Sequence, residues 1–347
     1  MKLRKITIVL LIVITLLGLN AIFNQNKTAS QGIIIADHRK LINIFRDYEP
    51  QTTRELIKSL QDYEQVILHL GAKKVFIRGN AFFYRTSQDN LKLLVEHLQA
   101  NEQQLYFWFL DSFGGSSFLE IYDDYQAIID ANYEVLQELN LDYEGLVIDL
   151  EWINRGTEAN NQKYLEILDY LDKKFVDKEI YAFASIIDNP AENKRRGYNE
   201  TEMLKHLDNI ITMLYPGDGG YYLKNEQLHL NLASHRIEDL REYYQQQNYQ
   251  IAVSLAGRII LERNNNLYFI KSATEFNYKD QTKLVYSRTE KYYSIKGYIP
   301  QREFSLRRND GVKEKITKND KLHFLSFHRE ELLQEEDYIW EYFLLED

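Results

Sequence analysis

Tyr143-Glu144-Gly145-Leu146-Val147-Ile148-Asp149-Leu150-Glu151-Trp152 decides the fold. A short apolar run entered through a glycine and flanked by polar residues reads as a buried strand. Side chains alternate faces along a strand, so Leu146, Ile148, Leu150 and Trp152 share one face, and Val147, Asp149 and Glu151 share the other. One face suits a layer of helices. The other brings two carboxylates to the C-terminal end of the strand, about 6 to 7 Å apart over two residue steps.

Working outward, runs of the same kind recur at Gly32 to Ala36, Lys74 to Arg78, Leu105 to Leu110, Glu179 to Ile186, Asn209 to Tyr215, Gln250 to Leu255 and Leu322 to Phe327. Segments of helical periodicity lie between them, among them Gln88 to Ala100, Ile121 to Leu139, Asn160 to Lys174, Glu202 to His206 and Ile237 to Gln247. Alternation of this kind predicts an α/β chain with a parallel sheet, and eight units predict closure into a TIM-type (β/α)8 barrel. Residues 258–308 break the rhythm and are rich in Tyr, Phe and Thr. They read as a small antiparallel insertion between strands seven and eight; a separate domain is the rival reading, with a meagre core for so few residues. The expected organisation is 1–24 as an export segment, 25–31 as a spacer and 32–347 as the barrel with its insertion.

The 347 residues are 44% hydrophobic and 13% aromatic, ample for one large core. A formal charge of -10, with 52 acidic residues against 42 basic, disfavours nucleic acid as a partner. Absence of cysteine excludes disulfides, thiolate nucleophiles and Cys-ligated zinc. The eight histidines show no metal-ligand spacing, and no Walker loop, dinucleotide fingerprint or serine-hydrolase elbow occurs, so neither metal nor cofactor is expected. Glu335-Glu336-Asp337 reads as solvated helix surface. A monomer is expected.

Lys2, Arg4 and Lys5 precede an apolar stretch from Ile6 to Phe23. That pattern is an export signal long enough to cross a bilayer of about 30 Å. An uncleaved membrane anchor is favoured over a cleaved signal peptide, with the basic side inside and the remainder extracytoplasmic, or secreted if cleavage occurs.

Two carboxylates confined together cannot both ionise cheaply, so one is expected to stay protonated near neutral pH and serve as a proton donor. The alternative is a pair at a solvated strand end, or one neutralised by Arg or Lys. With Glu144, Val147, Asp149 and Glu151 in this spacing, the strand resembles the fourth strand of family 18 glycoside hydrolases, the chitinase-like barrels, whose motif is Asp-x-x-Asp-x-Asp-x-Glu; the last two positions match. Ser112-Phe113-Gly114-Gly115 after strand three is similar to the family's Ser-x-Gly-Gly, Met213-Leu214-Tyr215 to its Met-x-Tyr-Asp, and Gly257-Arg258 to the segment that precedes its insertion. Taken alone, the glycines also read as a plain turn and Tyr215 as a core tyrosine.

The resemblance implies that Glu151 is the general acid, that Asp149 orients and stabilises the substrate's own N-acetyl group, and that Tyr215 hydrogen-bonds the N-acetyl carbonyl. It implies substrate-binding roles for Ser112, Gly114, Gly115, Met213 and Arg258, and a polysaccharide containing N-acetylhexosamine as substrate: chitin-like, peptidoglycan or an envelope glycan. Three departures stand out. Val147 replaces the middle Asp. Pro216 replaces the acidic or amide residue after Tyr215, where Asp218 is the nearest substitute. The stacking tryptophan expected at the end of strand eight is missing from Leu322 to Phe327, and Trp340 lies beyond it; Trp108 reads as core and Trp152 as outward-facing. These departures keep open a barrel hydrolase for another sugar and a non-catalytic carbohydrate-binding barrel.

Overall fold

The computed structural model describes residues 32–35, 72–78, 88–111, 124–150, 158–214, 220–230, 234–254, 257–273, 281–308, 312–334 and 337–341. Eight parallel strands close into a barrel. In chain order they are β1 (Gly32–Ile35), β2 (Lys74–Arg78), β3 (Gln104–Asp111), β4 (Gly145–Asp149), β5 (Glu179–Ala184), β6 (Asn209–Leu214), β9 (Gln250–Ser254) and β17 (Tyr338–Glu341). Each is paired on both sides, and β17 closes the ring between β9 and β1.

Alternation divides the strands' side chains into two apolar layers. Phe76, Tyr106, Trp108, Val147, Tyr181, Phe183, Ile211, Met213, Ala252 and Tyr338 fill the interior. Leu105, Phe107, Leu146, Ile148, Ile180, Ala182, Ile210, Ile251 and Ile339 join the outer cluster. Helices meet that layer through residues at helical spacing. In α2 (Tyr125–Leu139) the buried face is Ile129, Asn132, Leu136 and Leu139; the Asp124 carboxylate caps its start and left-handed Asn140 its end. α1 (Gln88–Ala100) precedes β3, and α3 (Glu158–Lys174) follows β4 with Tyr164, Ile167, Leu168 and Leu171 buried.

The interior is closed at the N-terminal end by a polar plug. Glu179 accepts hydrogen bonds from Tyr106 (2.6 Å) and Tyr181 (2.8 Å), and Lys74 reaches both Tyr181 (2.9 Å) and Glu179 (3.4 Å). Burial alone would raise the Glu179 carboxyl, but the two phenols and the ammonium group hold it below its usual value. Gly145 is obligatory at this level: a Cβ there would stand 2.3 Å from the Glu179 carbonyl oxygen.

Between β9 and β17 lies an antiparallel sheet in the order β11 (Asn266–Ala273), β10 (Gly257–Arg263), β16 (Lys321–Phe327), β13 (Tyr293–Pro300), β12 (Thr282–Thr289), with the hairpin β14 (Phe304–Arg307) and β15 (Lys313–Ile316) beside it. One face, with Ile260, Ile295 and Leu325, merges with the outer cluster of the barrel; the other, with Ile259, Leu261, Ile270, Tyr298 and Leu322, packs on Leu306 and Ile316 of the hairpin. The sheet therefore shares the barrel's core, and it runs to Phe327, beyond residue 308.

The eighth barrel strand differs from the sequence reading. Leu322 to Phe327 belongs to the insertion, where β16 pairs antiparallel with β10 and β13. Both its faces are covered, so its apolar content matches that of a barrel strand. β17 closes the barrel instead. Its entry is set by Asp337, which is 3% exposed and bound by Arg241 of α6 (Ser234–Gln246) at 2.8 and 3.0 Å. Asp337 is thus a buried anion and not solvated helix surface. Trp340 falls within the true eighth strand, in register with Ile34 and Ser254. Among the described residues no helix is long and apolar enough to cross a membrane, and residues 1–31 lie outside them.

Candidate active site at the C-terminal end of β4

Asp149 ends β4 with 2% of its surface exposed. Val147, two residues before it, lies in the barrel interior beside Trp108 and Phe183, whereas Ile148 and Leu150 lie in the outer cluster, so alternation assigns Asp149 to the interior face. Beneath it the floor is apolar and tightly packed: Trp108 and Phe183 meet edge-on with ring centroids 5.2 Å apart. Met213 of β6 belongs to the same interior cluster and pairs in register with Ala252. Met213 thus shares the interior layer toward which alternation turns Asp149.

Asp149 has a neighbour on the outer side of the barrel wall. Tyr164 of α3 is fully buried, and its phenol is raised well above the usual value by that burial first, then by Tyr198 and by Asp149. Tyr164 thus stands within electrostatic reach of Asp149 across the wall.

Arg258, at the start of β10, is part of the insertion. It donates to the Tyr221 hydroxyl at 2.7 Å and lies over the Phe269 ring at 5.9 Å, joining the insertion to strand β7 (Tyr221–Lys224), which follows β6. Phe269 and Tyr222 leave much of their rings exposed. Glu151, Ser112, Gly114, Gly115, Tyr215 and Asp218 lie outside the described residues, as does Trp152. Among the described residues no group of three His, Asp or Glu side chains is gathered as a metal site.

The sequence reading missed two features of this end of the barrel. Trp340 stands in no strand-like run of the sequence, because β17 is only four residues long and follows an acidic run. Asp111, the last residue of β3, pairs in register with Asp149; no pattern within β3 announces this, since register belongs to the sheet.

No family model matches this sequence, and no curated protein matches it in sequence. Solved structures match the fold. A chitinase from Chromobacterium violaceum superposes with a TM-score of 0.52 at 11% identity, covering 91% of this chain and 96% of that one. The spore cortex-lytic enzyme SleL of Bacillus cereus gives 0.54 at 9% identity over 91% and 72%, and that of Bacillus megaterium 0.51 at 12% over 90% and 71%. At such identities the likeness establishes the fold: a divergent chitinase-like barrel.

Proposed function

We propose that this chain is an extracytoplasmic glycoside hydrolase that cuts a polysaccharide containing N-acetylhexosamine, with Glu151 as general acid and Asp149 assisting the substrate's N-acetyl group. The observation that carries it is a buried carboxylate, Asp149, at the C-terminal end of the fourth strand of a barrel with this fold, the end at which barrel enzymes hold their chemistry. The structures that share the fold are named as a chitinase and as spore cortex-lytic enzymes, which favours an amino-sugar polymer.

In this reading the Glu151 carboxyl gives its proton to the glycosidic oxygen as the bond to the anomeric carbon breaks. The substrate's N-acetyl oxygen attacks that carbon, and Asp149 stabilises the positive charge that develops on the N-acetyl group. Water then opens the intermediate, returning its proton to Glu151, so configuration is retained. The apolar floor of Val147, Trp108, Phe183 and Met213 supports the reading, because it keeps water from the lower side of Asp149 and strengthens its field. Tyr215 serves as the hydrogen-bond donor to the N-acetyl carbonyl, and Ser112, Gly114, Gly115, Asp218 and Arg258 line the glycan path. The Ile6–Phe23 stretch holds the enzyme at the outer face of the membrane.

The test is turnover of chitin oligomers and peptidoglycan fragments by the full chain and by Glu151→Gln. A loss of about 10²–10⁴-fold in kcat with glycan binding kept is expected, together with inactivity on substrates that lack the N-acetyl group. Full activity in Glu151→Gln would overturn it; binding without turnover by the unaltered chain would show a carbohydrate-binding barrel.

A further inference from the structure

The insertion carries a cavity of its own, about 340 Å³, at the far end of β10 from the barrel strand it follows. From Gly257 to Arg263 that strand runs about 20 Å at roughly 3.4 Å per residue. Two turns wall the cavity. Beyond Arg263↔Asn266, the last pair of the β10–β11 ladder, Asn264 and Asn265 both stand in the left-handed region (φ 53° and 62°), the two-residue turn that asparagine suits. Between β15 and β16, Asp320 closes the second turn: its carboxylate accepts from the Thr317 amide at 2.7 Å and from the Thr317 hydroxyl at 3.0 Å. Arg263 grips the same carboxylate at 2.7 and 2.9 Å and donates to the Lys315 carbonyl at 2.6 Å, so one guanidinium fixes the second turn to the strand that leads into the first.

The lining is polar, mixed in character and nearly neutral. Asn264, Asn265 and Asn319 present three side-chain amides, each both donor and acceptor, and none is hydrogen-bonded to another described residue. The acids that line the cavity already have partners: Asp320 has Arg263 and Thr317, and Glu262 accepts from His323 at 2.9 Å and lies 3.4 Å from the Lys321 ammonium. Lys318 makes no ion pair among the described residues, and Ile299 of β13, 38% exposed, supplies an apolar surface. A phosphate or free carboxylate calls for a cluster of cations and would here meet Glu262. Amides, a carboxylate and an ammonium beside a small apolar wall suit instead a neutral ligand whose hydroxyls both donate and accept, and the volume is at the small end of ligand pockets. We propose that this cavity is an accessory glycan site that holds one neutral sugar residue of the barrel's own polysaccharide substrate. The identity of that polymer rests on the hydrolase reading; the site itself does not. Because the sheet shares the barrel's core, a long chain can engage both places at once, which raises its effective concentration at the cleavage centre, whereas a fragment too short to span them gains nothing.

The test titrates the full chain, labelled with nitrogen-15 asparagine, with chitotetraose and separately with inorganic phosphate. Chitotetraose is expected to shift the side-chain amides of Asn264, Asn265 and Asn319, and phosphate to leave them in place. Asn265→Gly keeps the left-handed turn while removing one amide, and Lys318→Ala removes the ammonium. Each is expected to weaken the affinity read at the remaining amides by up to about tenfold, and to slow hydrolysis of long chitin several-fold relative to that of chitotriose. No shift with chitotetraose, a shift with phosphate, or equal losses on long and short substrates would overturn the proposal. Shifted amides in a chain that cuts no glycan would overturn the hydrolase reading and leave the site standing; hydrolysis with these amides silent would do the reverse.

Discussion

Arg241 grips Asp337 through two hydrogen bonds, 2.8 and 3.0 Å, and donates a third to the Leu332 carbonyl, tying α6 to the residue that opens the last barrel strand. Both side chains are nearly removed from solvent. Removing one partner of such a pair leaves the other as an uncompensated buried charge.

Arg241→Ala is therefore expected to destabilise the chain by about 3–5 kcal/mol. Asp337→Asn, which keeps an acceptor for the guanidinium, should cost less. Urea denaturation of the two variants checks the order; an Arg241→Ala midpoint equal to that of the unaltered chain would mean that β17 is held by its strand neighbours alone.

His323 is fully buried in β16, and its neighbours dictate its tautomer. Glu262 can only accept, so Nε2 carries the hydrogen and donates to it at 2.9 Å; Nδ1 accepts from the Tyr286 hydroxyl at 2.7 Å, which in turn accepts from the Leu228 amide at 2.8 Å. The Tyr286 ring covers Gly297, where a Cβ would stand 2.1 Å from it. Burial lowers the imidazole to about 4, outweighing the attraction of Glu262. The unfolded chain takes up this proton near pH 6.5 and the folded chain only near 4, so stability falls as pH drops through that window and the contribution is constant above and below it. The loss is on the order of 3 kcal/mol. His323→Gln should flatten the stability profile between pH 6.5 and 4 relative to the unaltered chain in urea melts at stepped pH. An unchanged slope would place the proton uptake elsewhere, His229 being the next histidine lowered by burial.

Much of the barrel was legible because it rests on local pattern. The inner-outer alternation of Leu146, Val147, Ile148 and Asp149 is period two in sequence and in space, and α1 occupies Gln88–Ala100 as its periodicity predicts. What was not legible depends on partners distant in the chain. β16 resembles a barrel strand because a sheet packed on both faces buries the same residues. β17 is short, and its acidic prelude looks solvated until Arg241, 96 residues earlier, is set against Asp337. A bulge at Phe109, where β3 shifts register against β4, leaves no mark in β3, since two successive outward apolar residues read the same as regular alternation in a strand buried on both faces. The place of Asp149 at the end of β4 follows from its own strand, whereas its register with Asp111 follows only from the sheet.

Val147 tests whether this barrel can hold the carboxylate-rich strand it resembles. It is fully buried and belongs to one apolar cluster with Trp108, Tyr181 and Phe183, and its β3 partner in register is Trp108. Val147→Asp would restore the missing motif position in sequence, but the cluster around it consists of apolar side chains and aromatic rings in edge-to-face contact. An added carboxylate there must either remain neutral or lie uncompensated in an apolar interior. Val147→Asp is accordingly expected to lose about 3–5 kcal/mol of stability and to leave turnover no higher, whereas the isosteric Val147→Thr should cost less, because a hydroxyl can donate upward to Asp149. Thermal melts and glycan turnover on the two variants check this; a Val147→Asp protein that is both stable and faster would show that the interior accommodates a second carboxyl on β4.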